Sequence, residues 1–329
     1  MTDAGVRPWW RPVWRVRQPM SWLLVPLTIA GVVAIVAYRA ESAAGQPLAA
    51  LVSVASQALV AVLMLWILRR IDVLGRPWAV VAVAFAWGGG ISVFLAGPLN
   101  DEVGAITGKL GLTSVVLSAP IIEEALKLIG IIAVIGVSRA WVRDPLDGLA
   151  VGAAVGIGFS VVENVTYGID EAWAHSGPGE DPLGRVLIEL AGRVVIGFGS
   201  HALFAGIVGY GFALLLLSAG RGRTGLGVLG FVSAVVGVVV AHAVWDSDYG
   251  LEGDLDLVPP FLVWLCLVGV LLLLVRRARR RLGVRGRRSR GGRPAAVEGE
   301  LGGSPADPVG ADVDARAEAL GERPDDREA

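Results

Sequence analysis

The sequence contains few of the residues that most often build metal centres and covalent cross-links. Its single cysteine, Cys266, excludes an intramolecular disulfide, and a cysteine-based metal site or nucleophile is not expected. Only three histidines and two lysines occur among the 329 residues, so arginine carries almost all the positive charge. Charged residues make up 18% of the chain and hydrophobic residues 54%. This balance is too apolar for an ordinary water-soluble domain, so the bilayer is the expected solvent.

The hydrophobic residues fall into eight blocks, each of roughly 17 residues or more, which is long enough for a helix to cross a ~30 Å hydrocarbon layer. The blocks are 22–38, 48–68, 78–99, 113–137, 148–167, 186–217, 225–245 and 259–275. They lack the alternation of polar and apolar residues that a membrane β-barrel requires. The predicted fold is therefore all-α, a polytopic transmembrane bundle of about eight helices.

The charged residues outside these blocks are segregated by sign. Arginine clusters stand at every second block boundary and acidic residues at the others, which places the arginine-bearing ends and both termini in the cytoplasm. The first block lacks a cleavage site and is interpreted as a signal anchor. We expect a basic cytoplasmic segment over residues 1–21 and a transmembrane domain over 22–275. A cytoplasmic tail over 276–329 is expected to be first polybasic, then acidic and disordered.

Ionisable side chains inside the blocks need a partner or a function, because each costs at least ~2.5 kcal/mol to insert into hydrocarbon. The fourth block contains Glu123, Glu124 and Lys127. At helical spacing the lysine can neutralise one carboxylate but hardly both, which leaves the other for chemistry. Pro120 removes a backbone hydrogen bond three residues before Glu123 and can loosen the helix there.

Three further blocks deliver ionisable side chains to the same half of the predicted bundle. The fifth block carries Glu163 next to Asn164, and the sixth carries Arg193 and His201. The seventh ends with the pair His242 and Asp246. From the predicted outer boundaries at ~1.5 Å per residue, Glu123 lies roughly 15 Å deep and His201 roughly 12 to 22 Å. Glu163 and His242 lie roughly 5 Å deep. Random placement would scatter such groups, so their convergence favours one functional site over separate structural contacts between helices.

Five motifs in a fixed order span about residues 115 to 246. They are Glu123-Glu124-x-x-Lys127, Asp144-Pro145-Leu146-Asp147-Gly148-Leu149, Gly158-Phe159-x-x-x-Glu163-Asn164-x-x-Tyr167, Arg193 before Ser200-His201-Ala202-Leu203-Phe204, and His242-x-x-x-Asp246. Together they resemble the PrsW-type intramembrane proteases, which are related to the CAAX prenyl-protein and bacteriocin-processing membrane proteases.

The resemblance implies hydrolysis of a peptide bond in or just outside the membrane, on its extracytoplasmic side. In known members this is a first cut in an anti-sigma factor. The implied partners are a membrane-protein substrate and the lipid bilayer, with no nucleic acid, and the implied location is the bacterial cytoplasmic membrane.

The same resemblance assigns roles to individual side chains. It makes Glu123 the water-activating carboxylate and Glu124 its partner, held by Lys127. His242 and Asp246 take the place of the residues that polarise the scissile carbonyl.

Two mechanisms remain open from the sequence. In one, a carboxylate in apolar surroundings takes a proton from water and a histidine stabilises the oxyanion, with no metal. In the other, Glu163, His201 and His242 bind zinc, and Glu123 acts on the metal-bound water. The local His-Glu-x-x-His signature is missing, so zinc ligands would have to come from three different helices.

Two functions of other classes would also keep charged groups inside a membrane bundle. A transporter or proton relay predicts an internal repeat, which the sequence does not show. A non-catalytic membrane binding protein would present the same groups to a partner without chemistry. Cleavage of a single-pass substrate that is lost on mutating Glu123 or His242 distinguishes a protease from both.

Overall fold

The structure is a computed structural model that describes residues 19–72, 75, 77–109, 114–247, 249 and 257–281. Residues 1–18 and the tail beyond residue 281 lie outside the described residues. The predictions of a basic N-terminal segment and of a disordered tail fall almost entirely there. Within the described ranges every regular element is helical, as predicted.

Ten α-helices follow one another through the described part of the chain. They are α1 (Pro19–Gly45), α2 (Pro47–Ile71), α3 (Trp78–Trp87), α4 (Val93–Lys109), α5 (Ser114–Val137), α6 (Pro145–Ala174), α7 (Pro182–Gly197), α8 (Ser200–Ala219), α9 (Thr224–Asp246) and α10 (Val258–Arg281). A π-helical stretch, Gly88–Ser92, joins α3 to α4 without a break, so these two helices form one long rod.

Seven helical segments of the described chain are long and apolar enough to cross a membrane. The α3–α4 rod supplies one of them (Trp78–Ile106), and α7 with α8 supplies another (Pro182–Ala219). The helix α5 stands apart from the seven because three charged residues interrupt its 24-residue length: Glu123, Glu124 and Lys127. The prediction of an all-α polytopic bundle is confirmed.

The block predicted over residues 186–217 is divided in the structure. Helix α7 ends at Gly197, and α8 begins at Ser200. Between them Gly199 adopts a left-handed conformation with φ of 74°, which glycine tolerates because it has no Cβ. The break places His201 in the first turn of α8 rather than in the middle of a long helix.

Helix α6 is the centre of the bundle, and most of its length is buried. Gly148, Gly152 and Gly156 let it approach α8, since a Cβ at Gly156 would strike the His201 carbonyl and one at Gly152 the Ala205 carbonyl. The glycines of this helix therefore serve close packing, and the contact at Gly156 helps to set the position of the His201 backbone.

A capping box defines the start of α6. The Asp144 side chain accepts a hydrogen bond from the Leu146 amide at 3.0 Å, and the Asp147 carboxylate accepts one from the Asp144 amide at 2.7 Å. Pro145 occupies the first turn, where it breaks no helical hydrogen bond. The sequence motif that enters the Gly-rich helix is therefore a helix start.

Candidate active site

Glu123, Glu124 and Lys127 are joined on the buried side of α5 by the lysine ammonium. Lys127 Nζ lies 2.8 Å from Glu124 Oε1 and 3.3 Å from Glu123 Oε2. It also lies 3.9 Å from the centre of the Phe159 ring, and its side chain is completely buried. The lysine thus lies between the two carboxylates and has the shorter contact with Glu124. Glu123 is the carboxylate that it holds less closely.

His242 reaches the same carboxylates from the end of α9. Its Nδ1 lies 3.0 Å from Glu124 Oε1, and because a carboxylate accepts, this ring nitrogen donates the hydrogen bond. Its Nε2 lies 3.4 Å from Asp246 Oδ2 and 3.8 Å from Glu123 Oε2. The pairing of His242 with Asp246 across one helical turn agrees with the spacing in the sequence. The His242 ring is therefore held at one nitrogen and presents the other toward Glu123.

His201 connects the lysine to a carboxylate of α6. Its Nδ1 lies 2.9 Å from Lys127 Nζ, and its Nε2 lies 3.1 Å from Glu163 Oε2. An ammonium can only donate, so Nδ1 accepts and the ring proton resides on Nε2, which donates to Glu163. The His201 and His242 rings meet edge to face with their centres 5.3 Å apart. These contacts fix both the tautomer and the orientation of His201.

Glu163 is also bound by Arg193 of α7, and that arginine belongs to a longer network. Arg193 Nη2 lies 3.1 Å from Glu163 Oε2, and its Nε donates to Asn164 Oδ1 at 2.6 Å. Its guanidinium lies 3.6 Å from the centre of the Tyr167 ring. Asn164 Nδ2 in turn donates to Gln57 Oε1 of α2 at 3.2 Å. One chain of hydrogen bonds therefore links α2, α6, α7 and α8 to the site.

These side chains surround a polar cavity of about 580 Å³. The groups that line it include Glu123, Glu163, His201, His242 and Asp246. Glu124 and Lys127, whose side chains are 4% and 0% exposed, lie behind this lining. The two histidines and all the predicted carboxylates except Glu124 thus face one common cavity, which is the arrangement that the hypothesis of a catalytic site requires.

Helix α6 is longer than the apolar block from which the depth of Glu163 was predicted. The block ends at Tyr167, whereas the helix continues to Ala174. At ~1.5 Å per residue Glu163 therefore lies about 16 Å from the end of α6, and Glu123 lies about 14 Å from the start of α5. Glu163 and Glu123 are therefore at similar distances from these two helix ends, and the depth of each in a membrane stays a prediction.

Sequence reasoning missed two amides that contact the site. Gln57 is fully buried in α2 and accepts the hydrogen bond from Asn164. Asn100 of α4 donates from Nδ2 to Glu123 Oε1 at 3.4 Å. A signal for Gln57 was present, because an amide within an apolar membrane block needs a hydrogen-bonding partner. The sequence could not show which residue that partner is, because this depends on the tertiary structure.

Residues 76–275, more than half of the chain, match the model of the PrsW family intramembrane metalloprotease. The chain belongs to this family. No curated protein and no solved structure matched it. As a PrsW-family member it is an intramembrane protease and thus a peptidase, and its apolar helices are those of a multi-pass membrane protein.

The PrsW family is described as metalloproteases, and part of this site fits a divalent cation. Glu123, His201 and His242 each offer a ligand atom within 4.8 Å of the others. Two histidines and one carboxylate are a donor set that zinc commonly accepts. The hydrogen bond from His242 Nδ1 to Glu124 also matches the way a second carboxylate orients a metal-binding histidine.

This group of possible metal ligands differs in one member from the set predicted from the sequence, which was Glu163, His201 and His242. Glu123 stands in the place of Glu163, and Glu163 instead accepts hydrogen bonds from Arg193 Nη2 and His201 Nε2. The lone pair on His201 Nδ1 already accepts from Lys127. Metal binding at that nitrogen therefore requires the lysine ammonium to withdraw.

Proposed function

We propose that this PrsW-family protein hydrolyses a peptide bond of a single-pass membrane protein near the extracytoplasmic face of a bacterial cytoplasmic membrane. A membrane-anchored regulator such as an anti-sigma factor is the class of substrate. The observation that carries the proposal is the convergence of Glu123, Glu163, His201 and His242 on one polar cavity inside an apolar bundle. Such a cavity admits water and an extended peptide where lipid would otherwise exclude both.

Glu123 is the proposed base that takes a proton from the attacking water. It lines the cavity, whereas Glu124 lies behind it and is bound by both Lys127 and His242. A carboxylate held by two donors is poorly placed to accept a further proton, and Glu123 has the longer contacts. Glu124 and Lys127 are therefore positioning residues that hold the site in shape.

His242 is the proposed donor to the scissile carbonyl. With Nδ1 donating to Glu124, its Nε2 faces the cavity beside Glu123 and Asp246. In the imidazolium form, which the neighbouring carboxylates of Glu123, Glu124 and Asp246 favour, Nε2 also carries a proton, and it can stabilise the negative charge that develops on the carbonyl oxygen during attack. Asp246 orients the same ring from one helical turn away.

A divalent metal held by Glu123, His201 and His242 would supply Lewis-acid polarisation of the carbonyl and a more acidic water. In that case Glu123 is a ligand rather than the base. The protein groups around the cavity still bind and orient the peptide, and Arg193 still holds Glu163 toward His201. Activity after chelation and after re-addition of zinc distinguishes the two mechanisms.

The distribution of charge supports cleavage on the extracytoplasmic side. The cavity lies in the half of the bundle where α6 and α9 end and where α5 and α8 begin. The opposite ends of the helices carry arginines, including Arg69 and Arg70 at the end of α2. The positive-inside rule assigns those ends to the cytoplasm.

The test uses a candidate substrate found as a membrane protein that accumulates at full length in a deletion strain. Cleavage in proteoliposomes is expected for the wild-type protein and is expected to fall at least about a hundredfold in Glu123→Gln, as is typical for the loss of a general base. Glu102→Gln, a matched change at an exposed carboxylate of α4, is the control. Equal cleavage by Glu123→Gln would refute the proposal, and ion or solute flux that survives the substitution would favour a transporter.

A further inference from the structure

A second cavity, separate from the polar one, is a narrow apolar groove of about 180 Å³. It lies between α2 and α10, with α6 and α8 as its floor. Met64 and Ile71 line it from α2, Leu149 from α6, and Val268 and Leu271 from α10. Almost all of its surface is contributed by apolar atoms. A groove of this kind that opens toward lipid is suited to a hydrocarbon chain rather than to water or a polar ligand.

Two hydrogen bonds tie α10 to the rest of the bundle at the two ends of this groove. Toward the polar cavity, Trp264 Nε1 donates to the Phe198 carbonyl, at the break between α7 and α8, at 2.8 Å. At the other end, Arg279 Nη2 donates to the Arg70 carbonyl at 3.3 Å. Arg70 directly precedes the groove residue Ile71, so the second hydrogen bond lies at the mouth of the groove.

The arginine end of the groove carries a high density of positive charge. Arg70 ends α2, and the last turns of α10 bring four more exposed arginines: Arg276, Arg277, Arg279 and Arg280. Arg279 follows the groove residue Val268 by eleven residues, which is about three helical turns, so both lie on the same face of α10. An apolar groove that ends among arginines complements a molecule with an apolar chain and an anionic head.

We propose that this groove binds one acyl chain of an anionic phospholipid, with the lipid phosphate bound by Arg70 and Arg279. The groove volume favours an acyl chain over a transmembrane helix, because a helix with its side chains is about 10–12 Å across and needs a far wider channel. The binding does not depend on proteolysis. The bound chain would extend to Trp264 and Phe198, beside the segment that carries His201.

The test uses the full chain in nanodiscs whose lipids carry brominated acyl chains, which quench a tryptophan on contact. The chain has eleven tryptophans, so the contribution of Trp264 is taken as the difference in quenching between the wild-type protein and Trp264→Phe. At equal mole fraction, brominated phosphatidylglycerol is expected to quench Trp264 severalfold more effectively than brominated phosphatidylcholine. The double variant Arg70→Gln/Arg279→Gln is expected to lose this preference, and Arg70→Lys/Arg279→Lys is expected to keep most of it.

A matched control separates the groove from general attraction of the basic surface to anionic lipid. Arg221→Gln/Arg223→Gln removes the same charge from exposed positions in the loop between α8 and α9, outside the groove lining. This control is expected to keep the preference. Val268→Phe, which fills the groove, is expected to reduce quenching by both lipids.

Three results would overturn the proposal. The first is equal quenching of Trp264 by the two lipids in the wild-type protein. The second is an equal loss of preference in the Arg221/Arg223 control. The third is displacement of both lipids by a single-pass transmembrane peptide without regard to headgroup charge, which would assign the groove to a helix instead.

Discussion

Lys127 Nζ lies 2.9 Å from His201 Nδ1, and this contact joins α5 to α8 in the middle of the site. The ammonium is surrounded by three acceptors, since Glu123 and Glu124 contact it as well. A metal cation bound to Glu123 Oε2 and His201 Nδ1 would therefore have to displace this ammonium. The tautomer of His201 therefore depends on this one side chain, and we expect the ammonium to compete with any metal ion at the site.

The first prediction concerns the tautomer of His201. Because Nδ1 accepts from an ammonium, the nitrogen-15 spectrum of histidine-labelled protein should show a neutral ring for His201 with its proton on Nε2. In Lys127→Met the signal of Nδ1 should shift, because that nitrogen loses its donor. The chain has only three histidines, so His175, on the loop after α6, is an internal control that should not respond. A His201 proton on Nδ1 in the wild-type protein would contradict the contact.

The second prediction concerns zinc. An ammonium and a Zn²⁺ ion about 4 Å apart repel by about 8 kcal/mol at an effective dielectric constant near 20. Lys127→Met should therefore bind zinc at least about tenfold more tightly than the wild-type protein, as measured by isothermal titration in detergent. Lys109→Met is the matched control, since Lys109 is the other lysine of the chain and is exposed at the end of α4. Zinc affinity that is unchanged or weaker in Lys127→Met would mean that the ammonium does not compete with metal.

The third prediction concerns Gln57, which positions the network around Glu163. Gln57→Met removes the acceptor of Asn164 Nδ2 and leaves a buried donor without a partner, which typically costs about 1–3 kcal/mol. We expect a lower midpoint of thermal unfolding and a lower rate of cleavage. Gln46→Met, between α1 and α2, changes the same residue type at a position where the side chain forms no helix cap, and it should have little effect.

The pathway through Asn164 can be separated from a general loss of packing. If Gln57 acts on the site through Asn164, the double variant Gln57→Met/Asn164→Ala should cleave no more slowly than Asn164→Ala alone. Fully additive losses of activity would show that Gln57 stabilises the bundle without orienting Asn164.

The fourth prediction concerns the contact between α6 and α8. A Cβ at Gly156 would strike the His201 carbonyl, so Gly156→Ala should push α8 away and destabilise the protein by about 1–3 kcal/mol. At Gly237 of α9 no heavy atom lies within 4 Å of the added Cβ. Gly237→Ala should therefore leave the thermal midpoint unchanged or raise it by the helix propensity of alanine. Similar midpoints for the two variants would contradict the close packing at Gly156.

The composition and the positions of the charged groups were sufficient to predict the bundle and most of the ionisable side chains that line the polar cavity. The cost of placing Glu123 or His242 in hydrocarbon is a property of each residue and its apolar neighbours, so it can be read along the chain. The pairing of His242 with Asp246 also follows from helical spacing alone. The first helix and the central helix α6 could likewise be predicted without coordinates, because their apolar blocks are visible in the sequence.

Which groups face one another was decided by the tertiary structure. The rotation and spacing of α5, α6, α8 and α9 bring Glu123 within 4.8 Å of both histidines, whereas Glu163 contacts His201 and Arg193. Those rotations depend on close contacts such as that of Gly156 with His201. The break at Gly199 could not be predicted from the sequence either, because glycine permits a left-handed backbone conformation but does not require one. Gln57 meets Asn164 across 107 positions of sequence, and only the packing of α2 against α6 brings them together.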